Sequence, residues 1–135
     1  MRYTILLFSV FIVFGCRVIR DSLYQNTNIY VGAAVDLDNI ESDSAALRIL
    51  VGDFNSMTAE NAMKMRRIAV AKGQYNWESA ERYTRFAKKH NMRLHGHTLI
   101  WHESVPEWVS ALTDKEEIRT FYKDYITTYV KKIDD

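Results

Sequence analysis

Residues 95 to 108 read HGHTLIWHESVPEW and hold three histidines, two tryptophans, two glutamates and the only proline of the chain. The HxH pair His95 and His97 can present two imidazoles from one face of a strand to zinc, yet a closed site needs three or four ligands, and no other His or Cys cluster is present. Metal is therefore not expected. A histidine beside tryptophans suits sugars: an indole face stacks on the apolar face of a pyranose while imidazole hydrogen-bonds its hydroxyls. The plainer reading of Trp101 and Trp108 is as core residues whose N–H groups are satisfied.

A second polar group lies upstream. Phe54 to Lys64 reads FNSMTAENAMK, an apolar stretch running into Glu60, Asn61 and Lys64. On a helical turn Glu60 and Lys64 would share a face, as a surface ion pair does. Both polar groups, however, sit at or just past an expected strand, and polar groups beyond the carboxyl ends of α/β strands face the ligand crevice.

The elements that position these residues follow from periodicity. Asn28 to Val35 is β-rich, Ser44 to Val51 has helical spacing, and Phe54 to Thr58 is a second strand. Trp77 to His90 places Ala80, Tyr83, Phe86, Ala87 and His90 on one helical face, with Asn76 as its cap, and Arg93 to Trp101 is a third strand. The last segment steps Ile118, Phe121, Tyr122, Tyr125, Ile126, Tyr129, Val130 and Ile133 along one face, opened by a Thr113–Glu116 capping box. Asp36 and Asp38, after the first strand, are expected to form a turn. The order strand–helix, three times over, predicts an α/β fold with a parallel sheet.

The 135 residues are 47% hydrophobic and 26% charged, with one proline, which fits a folded domain. The apolar run from Tyr3 to Phe14 is too short to span a bilayer and reads as a secretory signal over residues 1–15, followed by a linker over 16–27. Val13-Phe14-Gly15-Cys16 resembles a bacterial lipoprotein box, so Cys16 is expected to be lipidated after cleavage, and the protein to be exported, held at the cell envelope by that anchor or secreted. No other membrane contact is expected. As the only cysteine it leaves no internal disulfide. The 18 basic side chains balance 17 acidic ones, with no basic face to read as a nucleic-acid footprint.

FNSMTAENAMK, followed about thirty residues later by GHTLIWH and then VPEWV, resembles the amino-terminal third of glycoside hydrolase family 10, the endo-β-1,4-xylanases. The resemblance runs from about Ile29 to the carboxyl terminus. It implies that residues 28–135 form the first three βα units of a (β/α)8 TIM barrel, with xylan or xylo-oligosaccharide as ligand and no cofactor. It also implies that Glu60, Asn61 and Lys64 hydrogen-bond sugars on the non-reducing side of the scissile bond. Lys64 and His97 would reach the sugar at the cleavage point, Trp101 would line that subsite, and His102 would support the hydrogen-bond network. Met65 departs from the family's usual tryptophan or proline, and the segment before Gly73 lacks the usual proline.

Retaining hydrolysis of a glycosidic bond needs two carboxyl groups about 5–5.5 Å apart. The family's acid/base glutamate follows an asparagine after the fourth strand, and its nucleophile lies at the seventh; neither motif occurs here. Glu103 and Glu107 are expected to be loop residues. The resulting expectation is a fragment of a secreted xylanase that binds but does not cut. Alone, with its strands uncovered, such a piece should fold poorly or aggregate. The alternatives are a non-catalytic, surface-anchored xylan-binding module, and a zinc-dependent hydrolase using His95 and His97.

Overall fold

A computed structural model describes residues 22–25 and 27–134. The expected signal segment and Cys16 lie outside the described residues, as does most of the expected linker. Three short strands, β1 (Gly32–Val35), β2 (Ser56–Ala59) and β5 (Arg93–His95), form a parallel sheet in the order β1-β2-β5. A hairpin, β3 (Ala69–Ala71) with β4 (Gln74–Tyr75), forms a second sheet.

Register explains the composition of the strands. Ala33 pairs with Met57 and Met57 with Leu94, so these side chains share one face, while Gly32, Ser56 and Arg93 share the other with Ala34, Thr58 and His95. The first face is covered by helices, and Met57 is fully buried. The second carries small and polar residues, and of these Gly32, Ala34, Arg93 and His95 are exposed. This corrects the expectation of uncovered apolar faces: each strand alternates, and its apolar half is already packed.

The helices form where a cap and an apolar face coincide. Asp36 accepts from the backbone N–H groups of Asp38 and Asn39 and opens α1 (Leu37–Ser42), and Asp43 does the same for α2 (Ser44–Asp53) from Ala45 and Ala46. Asp36 thus starts a helix rather than only a turn, and Asp38 in its first turn pairs with Arg82. In α4 (Glu78–Lys89), Ala80, Tyr83, Phe86 and Ala87 are buried, the face read from the sequence. Asn76 accepts from the N–H of Glu78 at 3.0 Å. The Tyr83 hydroxyl lies between two backbone groups, donating to the Val35 carbonyl and accepting from the Leu37 N–H, each at 3.0 Å. It therefore ties α4 to the point where β1 passes into α1.

Helix α6 (Lys115–Asp134) is held by aromatic rings. Tyr125 stacks on Phe121 at a centroid distance of 5.9 Å, and Tyr129 meets the edge of Trp77 at 5.9 Å. Asp114, not Thr113, caps this helix by accepting from Glu116 and Glu117. The carboxylate lies one residue nearer the first turn than the hydroxyl and reaches two donors.

Burial pushes the Tyr129 phenol up to about 12 and raises Tyr125 further, with Tyr129 and Tyr75 adding to the latter by charge repulsion. An unfolded tyrosine ionises near 10, so stability from these phenols is complete below about pH 10 and is lost as pH rises through the folded values. Alkaline titration should therefore show part of the tyrosinate absorbance appearing late, together with loss of helical circular dichroism. Complete ionisation near pH 10 with the helices intact would contradict it.

Two expected strands are shorter than their sequence span. Only Gly32–Val35 of Asn28 to Val35 is strand; just before it, Val31 donates its N–H to the Asn55 side chain at 2.8 Å while its carbonyl accepts from the Asn55 and Ser56 N–H groups. Arg93 to Trp101 contributes only Arg93–His95, paired with Ser56–Thr58; β2 itself runs one residue further, to Ala59, which pairs with Val35 on its other side. Beyond His95 the chain leaves the sheet, and the peptide bond from His97 to Thr98 is cis. The β3–β4 hairpin was not anticipated; it turns at Lys72-Gly73, where Gly73 takes a φ of 70° that only glycine adopts freely.

Candidate carbohydrate-binding site

The two polar groups meet at the carboxyl ends of β2 and β5. Past β2, the Glu60 N–H donates to the Val35 carbonyl at 3.1 Å, and residues 60–64 form a turn before the short helix α3 (Met65–Ile68). Because α3 starts only after Lys64, the helical spacing expected for Glu60 and Lys64 does not arise. Lys64 instead donates to Asn61 Oδ1 at 2.9 Å. Its ammonium also stands 4.8 Å from the centroid of the Trp101 ring, within cation–π range.

Trp101 is the centre of the second group. The His97 ring lies 6.2 Å from it at 58°, and the His102 ring lies 6.2 Å from it almost perpendicular, at 84°. His102 Nε2 is 3.9 Å from Glu103 Oε1, with both side chains largely exposed. Asn61, Lys64, Trp101 and Glu103 line an open cleft of about 460 Å³. The cleft thus offers an aromatic face, one carboxamide and an ammonium side by side, which suits a neutral polyhydroxylated ring. Glu60 is exposed and does not line this cleft.

Gly96 sets the path of the second group. A Cβ there would lie 3.1 Å from the Tyr129 hydroxyl, so α6 packs against the backbone at the start of the His97–Trp101 segment. Arg66 fixes its far end, with Nη2 donating to the Glu103 carbonyl at 2.9 Å. Sequence reasoning passed over Arg66, Arg67 and Ser104, which also line the cleft; the run Lys64-Met65-Arg66-Arg67 was the available signal.

Other candidates fall elsewhere. Trp108 donates its indole N–H to the Ala69 carbonyl at 2.9 Å and packs edge-on against Phe121 at 4.9 Å, the satisfied core role weighed for it. His95 Nδ1 lies 3.4 Å from Thr58 Oγ1. Among the described residues no group of three His, Cys, Asp or Glu side chains converges to hold a metal, and no helix is long and apolar enough to cross a membrane. Glu107 begins α5 (Glu107–Ser110) after Pro106.

Residues 19–135 match the family model described as glycosyl hydrolase family 10. The chain belongs to that family. It is 47% identical over 78 residues to endo-1,4-beta-xylanase A of Halalkalibacterium halodurans, a match covering 58% of this chain and 19% of the relative. It is 32% identical over 111 residues to endo-1,4-beta-xylanase B of Thermotoga neapolitana, covering 80% of this chain and 32% of the relative. Among solved structures it resembles xylanase 10C from Cellvibrio japonicus in complex with xylopentaose, with a TM-score of 0.78 and 27% identity over 86% of this chain and 25% of that one. The chain therefore spans no more than a third of the length of these family members. Its three parallel strands form an α/β piece with no closed barrel, as expected for the first three βα units of a TIM barrel.

Proposed function

We propose that this chain is the amino-terminal part of an exported, retaining endo-1,4-β-xylanase and supplies the glycone-side wall of its xylan cleft. Trp101 stacks on a xylose ring at the cleavage point, and Lys64 and His97 bond its hydroxyls. Asn61 and Glu60 bond sugars farther toward the non-reducing end, and His102 steadies the hydrogen-bond network beside Trp101. The observation that carries this reading is the position of Lys64, bonded to Asn61 from its own segment and set over Trp101 from the other. Two motifs more than thirty residues apart in sequence meet in one cleft in this way. The xylopentaose complex of the Cellvibrio relative supports the ligand class.

The two glutamates that hydrolysis requires are assigned to residues outside these 135. Glu103 is the one carboxylate lining the cleft among the described residues, and retaining chemistry needs a second at about 5–5.5 Å. The purified chain should accordingly release no reducing sugar from xylan. Sustained release by the homogeneous chain, abolished by Glu103→Gln, would defeat the assignment. Export is proposed to end in acylation of Cys16; Cys16→Ser should then move the protein from the membrane fraction to the soluble one, and unchanged fractionation would remove the anchor.

A further inference from the structure

The cleft beside Trp101 is more cationic than a neutral sugar requires. Among the described residues, Lys64, Arg66 and Arg67 line it with one acid, Glu103, and the Glu103 carboxylate already lies near His102. Lys64 is engaged with Asn61 and Trp101, and Arg66 spends one nitrogen on the loop carbonyls of Glu103 and Val105. Arg67 is exposed, and its guanidinium has no hydrogen-bond or ion-pair partner among the described residues. It also borders the neighbouring cavity that holds Asp36 and Asp38, but Asp36 caps α1 and Asp38 pairs with Arg82. An unpaired guanidinium fork at a sugar cleft matches a carboxylate in two-point geometry.

Building on the proposed xylan cleft, we propose that Arg67, with Arg66 beside it, binds the carboxylate of uronic acid branches, so that the preferred ligand is an acidic, uronate-bearing xylan. No bond is made or broken in this step. The backbone xylose units lie on Trp101, and a branch directed toward α3 places its carboxylate on Arg67.

Affinity electrophoresis of the full 135-residue chain tests this with three polymers: uronate-bearing xylan, the same xylan after reduction of its carboxyl groups, and polygalacturonate. The native xylan should bind about fivefold more tightly than the reduced one, the worth of an exposed charge-assisted contact, and the ratio should shrink with added salt. Arg67→Gln should bring the ratio to about one, while Arg67→Lys, which keeps the charge but not the fork, retains part of it. Because each variant is compared only with itself, a change in its folded fraction cancels. Equal binding of the native and reduced xylans would overturn the carboxylate site and leave the xylan cleft standing. Equal retardation by polygalacturonate would reduce the arginines to a general polyanion patch and overturn it as well. Binding of neither xylan would overturn both readings.

Discussion

Trp101→Ala, placed in a barrel completed with the remaining βα units of a family 10 relative, is expected to lower kcat/KM on xylan about 10- to 100-fold. The indole is the one large aromatic surface lining the cleft among the described residues, with the Lys64 ammonium 4.8 Å from its centre and two histidine rings at 6.2 Å. Losing it removes the apolar platform proposed for the sugar, worth about 1.5–3 kcal/mol by burial. It also leaves Lys64 without the ring that orients it. Trp101→Phe should recover part of the loss, since a smaller aromatic face remains. Trp108→Ala offers a contrast: that ring is bound into the Ala69 carbonyl and Phe121, so its loss should appear as reduced stability. A Trp101→Ala fusion within about twofold of its parent would sink the assignment of this ring to the substrate.

The largest stability effect from removing a single atom is expected for Tyr83→Phe, about 1–3 kcal/mol, read as a lower urea midpoint in the same completed barrel. The missing hydroxyl leaves the Leu37 N–H buried without an acceptor, whereas the Val35 carbonyl keeps the Glu60 N–H at 3.1 Å. The cost is therefore one orphaned donor, at the junction of β1 with α1 that also holds the start of the Glu60–Lys64 turn. Tyr129→Phe supplies the control. Its hydroxyl is buried with no hydrogen-bond partner among the described residues, so removing it should be nearly neutral or stabilising. Equal midpoints for Tyr83→Phe and its parent would mean that this hydroxyl carries no net stability.

The buried face of α4, the aromatic face of α6 and the alternation of strands with helices were legible because each rests on local periodicity, which depends only on neighbours in sequence. The two motifs carrying Lys64 and Trp101 were legible as well, through residue types and spacing. The ends of the strands were not, because where a chain leaves a sheet is set between segments: β5 stops at His95 although β2 continues to Ala59, which pairs with Val35 alone. For the same reason His97 and Trp101 sit on irregular chain rather than on a strand.

Sequence by itself determined which residues could form a sugar site, and which family's motifs they resemble. Only the tertiary structure decided that Lys64 turns to Asn61 and Trp101 rather than to Glu60, and that Arg67 lines the cleft with no side-chain partner among the described residues. The physical reason is that the Lys64–Trp101 contact, and the cleft that Arg67 lines with Trp101 and Glu103, join segments distant in sequence. The Lys64–Trp101 pair exists because β2 and β5 are neighbours in the sheet, and the path from Gly96 to Trp101 because Tyr129 from α6 packs against that glycine. Local propensity says nothing about either distance.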